Sequence, residues 1–297
     1  MLVVLVAGNL SCTEQGLLEK LQAIDHDLAE NPGGALDSLL AIDNSSISRG
    51  DLYAYYSLLL TIAQHKNYLP FPNDSAISFA RDYFIDHTRD YYNQARASFY
   101  YGVVRQYKSY GDTLAHRLMH QARQIMDDHN IQDDKLFALM NAYLGRINYG
   151  NANYEEAACY FRSAVESEQR LGNARNTALD LCDLLVCQVT LLDSLQAERT
   201  LYKLDSILTQ HPDIQLENFN NGKALYYLYI SHQLDSAQYY CNKWKPSPGD
   251  SGAKQRLLST IYERRGIIDT AIEYEKRAYS NRRIADSTYY HTSLVFN

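Results

Sequence analysis

Apolar residues recur along this chain at intervals of three and four, and no stretch alternates apolar with polar for long. That is the period of a helix buried along one face, whereas a half-buried strand requires a period of two. The pattern predicts helices over 14–30, 34–42, 49–66, 74–87, 90–108, 112–128, 133–149, 153–170, 174–191, 194–209, 215–231, 234–244, 252–265 and 268–283. Short turns separate most of them. Longer breaks fall at 66–73, with Pro70 and Pro72, and at 246–252, with Pro246 and Gly249. Helices joined by short turns pack against their sequence neighbours, so this pattern predicts an all-α chain of seven antiparallel pairs.

The turns repeat as well. An acidic residue opens a helix, with a small or apolar residue two positions later, at Asp74-Ser75-Ala76, Asp112-Thr113-Leu114, Glu155-Glu156-Ala157, Asp193-Ser194-Leu195, Asp235-Ser236-Ala237 and Asp269-Thr270-Ala271. Successive junctions are 38, 43, 38, 42 and 34 residues apart, and Pro32-Gly33-Gly34-Ala35 precedes them at similar spacing. Side-chain oxygens there accept from the free amides of a first turn, and negative charge suits the positive end of the helix dipole. A period of this length marks an array of helix pairs stacked one on the next.

Within the pair 133–170, Leu144 and Gly145 lie in the first helix and Ala157, Phe161 and Ala164 in the second. The last pair has Leu258, Ser259, Tyr262, Ala271 and Ala278, with Glu275 in place of the aromatic residue. The pair around Gly102 has Ala115, Met119 and Ala122, and those around Ala197 and Ala237 keep the spacing with leucine or cysteine at the aromatic position. These residues resemble the tetratricopeptide repeat. The resemblance implies a right-handed superhelical solenoid whose concave groove is lined by first-helix positions spaced three, four and three apart. Carried onto this chain, those positions are Arg96, Phe99, Val103 and Gln106; Leu139, Ala142, Arg146 and Tyr149; and Phe219, Gly222, Tyr226 and Tyr229. Tyrosine and arginine suit recognition, because a rigid amphipathic ring contributes contact area at small entropic cost.

Composition narrows the partners. The net charge is −7, from 35 acidic and 28 basic residues, with no basic run to follow a phosphate backbone, which argues against nucleic acid and anionic membrane surfaces. Tyrosine is abundant, at 26 residues beside one tryptophan, and supplies both core filling and groove contacts. Five cysteines, with no CxxC pair, fit neither a disulfide framework nor a zinc site; Cys159, Cys182, Cys187 and Cys241 are expected to be buried packing residues. Cys12 follows an apolar run, Met1 to Ala7, and the segment Gly8-Asn9-Leu10-Ser11. Residues 1–11 therefore read as a signal-peptide-like segment. With Asn9 where leucine is usual and no basic residue ahead of the run, the approach to Cys12 still resembles the lipobox of bacterial lipoproteins, implying lipidation at Cys12. Lipobox, tyrosine-rich helices and Asp-Ser-Ala junctions together resemble exported tetratricopeptide lipoproteins of Bacteroides-like bacteria. The resulting division is 1–11 signal-like, 12–283 repeat array and 284–297 a C-terminal tail or partial capping helix.

Chemistry finds little support. His116 and His120, with Asp112 four residues earlier, share a helix face and could face a metal, but HRLMH lacks the glutamate of a zinc protease and Asp112 opens the helix. Asp127-Asp128, Asp133-Asp134 and Glu155-Glu156 all sit at helix ends, where acidic residues are expected. The sequence has no GxSxG, P-loop or dinucleotide fingerprint. The expectation is a non-enzymatic scaffold without metal or cofactor that binds a peptide or protein segment in its groove, lipid-anchored in the bacterial cell envelope. A glycan-binding envelope component, whose tyrosines stack on sugar rings, is the alternative; another is the sensory half of a longer membrane-bound regulator, suggested by the apolar residues of 284–297. A cytoplasmic adaptor is the alternative location.

Overall fold

A computed structural model describes residues 12–44, 47, 50–109, 112–216, 218–246 and 251–285. The signal-like segment 1–11, the side chain of Cys12 and the tail from 286 lie outside the described residues. Among the described residues there are fourteen helices: α1 Cys12–Asp27, α2 Pro32–Leu40, α3 Asp51–Lys66, α4 Ser75–His87, α5 Tyr91–Lys108, α6 Thr113–Asp128, α7 Asp134–Gly150, α8 Tyr154–Arg170, α9 Ala174–Thr190, α10 Ser194–Gln210, α11 Phe219–Tyr229, α12 Leu234–Lys243, α13 Ser251–Arg264 and α14 Ile268–Ala285. Among the described residues there is no strand. The all-α array of seven helix pairs expected from the periodicity is the fold found. It divides into two compact units, Met1–Gln132 with three pairs and Asp133–Asn297 with four.

Helix boundaries show where local chemistry outweighs the apolar pattern. α2 starts at Pro32, two residues ahead of its predicted start, because proline suits a first turn and the Asn31 side chain accepts from Gly34 N. α11 starts at Phe219 rather than 215; Ile214 and Leu216 pack on the α8–α10 core from an irregular segment, so their apolar character did not mean helix. The acidic junctions fall into three groups. Asp112 and Asp193 cap α6 and α10 by accepting from Leu114 N and Gln196 N. Asp74 occupies the cap position of α4, makes no side-chain cap bond, and pairs instead with Arg105 and Lys108. Glu155, Asp235 and Asp269 lie inside the first turn, where charge and dipole attract.

The turn inside each pair of the second unit has one recurring shape. Ala152, Leu192, His232 and Gly266 hold left-handed φ values of 61°, 57°, 56° and 76°. The next amide in each case returns to a carbonyl of the first helix, as with Asn153 N to Asn148 O and Asp193 N to Gln188 O, at 2.9 Å. Only glycine adopts this conformation without crowding at Cβ. Leu192 is 64% exposed and gives up little burial on truncation. Leu192→Gly is expected to stabilise the chain by about 0.5–1 kcal/mol, read as a higher urea midpoint at unchanged slope.

Small residues set the close approaches. A Cβ on Gly102 would lie 2.8 Å from Met119 Cγ and 3.0 Å from the Ala115 carbonyl oxygen. A Cβ on Gly145 would meet the Phe161 ring at 2.7 Å. Leu144, Ala157 and Ala164 have no exposed surface, and Phe161 is likewise buried. In the last pair, Ser259 stands at the glycine position and donates to the Ala271 carbonyl at 2.8 Å. Leu258, Ala271 and Ala278 are buried there, and Tyr262 stacks on Tyr274 with centroids 5.4 Å apart, so the aromatic partner is the neighbour of Glu275. Cysteine usage needs one correction: Cys182, Cys187 and Cys241 are buried free thiols, but Cys159 is exposed, because it lies on the outer face of α8. Burial raises the Cys182 thiol and pushes Cys187 up to about 12, which makes both poor nucleophiles.

Candidate functional site

In the second unit, contacts tie each first helix to the next first helix. Arg146 on α7 reaches Asp183 on α9, with Nε to Oδ2 at 3.3 Å. A Cβ on Gly222 of α11 would lie 3.1 Å from Leu185 Cδ2 of α9. Arg264 on α13 donates from Nη1 to the Leu228 carbonyl of α11 at 2.6 Å, with its guanidinium over the Tyr229 ring. The first helices thus form a continuous side of the unit. Along α9 the half-exposed residues Asn176, Leu179, Asp183 and Val186 fall three, four and three apart, the spacing of Leu139, Ala142, Arg146 and Tyr149 on α7. Arg146 and Asp183 hold the same place in their rows, and Tyr226 holds it on α11.

One guanidinium there stands among several carboxyl groups. Asp180, 5% exposed and one turn from Asp183, has its pKa pushed up to about 8 by burial; Arg146 opposes the shift, while Asp183 and Glu168 add to it. Asp183 is also raised, burial outweighing the pull of Arg146. Burial raises Glu168, whose Oε1 accepts from Asn176 Nδ2 at 3.2 Å. Burial thus favours the protonated form of Asp180 near neutral pH, and Asp180 lies outside the half-exposed row that carries Arg146 and Asp183. On that row the Arg146 guanidinium supplies donors and the Asp183 carboxyl supplies acceptors.

The raised Asp180 pKa fixes a sign for stability. Between about pH 4, where an unfolded aspartate ionises, and about pH 8, the folded chain holds a proton that the unfolded chain has lost. Stability accordingly falls as pH rises across that window and is level above it. Asp180→Asn cannot ionise and should lack this fall, so its advantage over the parent grows from pH 5 to pH 9 in urea melts. Parallel pH profiles for parent and variant would assign Asp180 an ordinary pKa.

The other anticipated groove residues divide by unit. On α7, Tyr149 is 39% exposed, edge-on to Tyr154, while Ala142 is buried. On α11, Phe219, Tyr226 and Tyr229 are half-buried and pack on the α9–α10 cluster of Leu185, Val189, Ala197 and Leu201. Burial raises the Tyr226 hydroxyl pKa, helped by the charge of Glu198 on α10. In the first unit the α5 row is interior: Phe99 has no exposed surface, and Arg96, Val103 and Gln106 are buried. Arg96 is held there by the unit's own chain. Its Nη1 donates to Asp25 Oδ2 at 2.8 Å and to Asn93 Oδ1 at 3.0 Å, Tyr55 donates to the same Asp25 oxygen at 2.7 Å, and the guanidinium lies over the Tyr92 ring.

Sequence reasoning missed Asp180, Asp183 and the whole α9 row. α9 keeps leucine at Leu181 but carries Cys182 where the tetratricopeptide pattern has a small residue, so ARNTALDLCDLLVCQVT set its register weakly; the remaining signal was two acids three apart inside an apolar helix. Asp112, the anticipated third member of a histidine cluster, is occupied, accepting from Leu114 N at 2.8 Å and pairing with Arg105. Among the described residues no group of three or more potential metal ligands converges. Asp133 caps α7 through Leu136 N, and Asp134 pairs with Arg170. No described helix is long and apolar enough to cross a membrane.

No protein-family model and no curated protein sequence matches the chain. Solved structures do match. Apo RapI superposes with a TM-score of 0.60 at 12% identity, over 92% of this chain and 99% of that one. The Rap conjugation gene regulator of plasmid pLS20, solved in complex with the Phr* peptide, gives 0.56 at 18%, over 97% and 80%. Aspartyl phosphate phosphatase F of Bacillus subtilis gives 0.56 at 12%, over 90% and 68%. At these identities the likeness is one of fold.

Proposed function

We propose that this chain is a peptide-binding scaffold whose recognition surface is the first-helix side of the second unit. The observation that carries the reading is the Arg146–Asp183 pair, at the same place on successive first helices and half-exposed on both. An extended peptide presents amide donors and carbonyl acceptors at regular intervals, and this surface supplies partners for both. A chain of the same fold, the pLS20 regulator, was solved with a peptide bound, which supports the class of ligand. Tyr149 on α7 and Tyr226 and Tyr229 on α11 belong to the same rows in this reading and would contribute ring area. The proposal assigns the face no catalytic step.

The test is fluorescence anisotropy against labelled peptides of acidic, neutral and basic composition, with oligosaccharides as competitors. At least one peptide class should bind, and Arg146→Ala or Asp183→Ala should weaken it by about tenfold or more. Peptide affinity indifferent to both variants would remove the face from the proposal. Oligosaccharide binding lost in Tyr149→Ala, Tyr226→Ala and Tyr229→Ala would favour the glycan reading instead.

We further propose lipid anchorage in the bacterial cell envelope through Cys12. This rests on the residue order of 1–12 alone. Intact mass after expression in a bacterium that processes lipoproteins should show an acylated chain beginning at Cys12. A chain still beginning at Met1 would reject the anchor and leave peptide binding unaffected.

A further inference from the structure

His116 and His120 stand one turn apart on α6, and their Nε2 atoms approach to 2.9 Å, with the rings nearly perpendicular and centroids 4.3 Å apart. Both side chains are half-buried, which restricts their rotamers yet leaves the pair open to solvent. Two imidazole nitrogens one turn apart on one helix face are the core of a metal site once both present lone pairs. We propose that His116 and His120 form a two-imidazole site for a late first-row divalent ion, with copper(II) bound most tightly.

Ligand chemistry ranks the ions. The 2.9 Å contact is the hydrogen bond of the free pair, and it shows that the two nitrogens approach closely enough to share one ion. Imidazole suits copper, nickel and zinc alike, and the general order of divalent affinities puts copper(II) first. Asp112 is committed to Arg105 and to the first turn of α6, so it is not a third ligand, and water completes the coordination. In the free pair one Nε2 donates its hydrogen to the other. On binding, that proton moves through water to Nδ1 of the same ring; both Nε2 lone pairs then face the ion and no proton is lost.

The pair lies in the first unit and the proposed peptide face in the second, so the two readings stand or fall separately. The experiment is a copper(II) titration of the full chain in a buffer with a competing weak chelator, followed by calorimetry and by electron paramagnetic resonance. The expected result is one tightest site with nitrogen hyperfine structure, weakened at least tenfold in His116→Ala and in His120→Ala, and a zinc affinity at least tenfold below that of copper. Circular dichroism should show both variants folded, because neither ring is in the core. Copper affinity unchanged in both variants would overturn the site. Zinc binding as tight as copper would overturn copper(II) as the preferred ion.

Discussion

Arg96→Ala is expected to destabilise the first unit by about 3–5 kcal/mol, a large share of the stability of a typical domain. The guanidinium is 8% exposed and bonds the Asp25 carboxylate, which is 21% exposed and also accepts from Tyr55. This one cluster ties together α1, α3 and α5. Removing the arginine leaves a carboxylate with a desolvation cost and one neutral donor, the situation in which breaking a buried pair costs most. Replacing the whole cluster, as Asp25→Leu with Tyr55→Phe and Arg96→Met, should cost far less than the single change, because no charge is then stranded. Chemical denaturation of the three proteins decides the point: a single variant as stable as the triple would show that Asp25 finds water in the folded chain. The pair also has a pH signature. Burial raises the Asp25 pKa, but the charge and hydrogen bonds of Arg96, with the Tyr55 hydroxyl, outweigh it and leave it below the ordinary carboxylate value. Its contribution is therefore complete above about pH 4 and is lost as pH falls through the lowered folded value. Arg96→Ala should flatten that acid limb.

Gly145→Ala is expected to cost about 1–3 kcal/mol even though alanine is the better helix former. The added methyl would sit 2.7, 2.8 and 2.9 Å from three carbons of the Phe161 ring. Phe161 is 1% exposed and packs among Ala157, Ala158 and Val165, so the ring has nowhere to move. Phe161→Leu in the same chain should recover part of the loss, since a smaller side chain makes room where the methyl intrudes. Thermal melts of the two single variants and the double variant form the cycle. Strict additivity would mean that the helices move apart instead of the ring being compressed.

These two positions mark how far the sequence could be followed. Gly145 and Phe161 were legible because close packing of two helices requires a small residue opposite a large one at fixed spacing, and that spacing is written in the chain. The pairing of α7 with α8 and of α13 with α14 was readable on the same ground, as were the short turns, although not that Ala152, Leu192 and His232 would take the conformation Gly266 adopts freely. Arg96 shows the opposite case. Its spacing placed it on a groove, but Asp25 lies 71 residues away, and nothing local records that α1 and α3 bring a carboxylate and a tyrosine hydroxyl over that row. Asp180 and Asp183 were illegible for a related reason: an acid in an apolar helix has no meaning until the helix beside it supplies Arg146.

The sequence by itself determined the helix pairs, their antiparallel order and the small-against-large contacts within them, because these depend on periodicity and side-chain volume over a few turns. Only the tertiary structure decided which first-helix positions are open and which are filled, and which carboxyls ionise, because solvent access and charge partners are set by residues tens of positions apart.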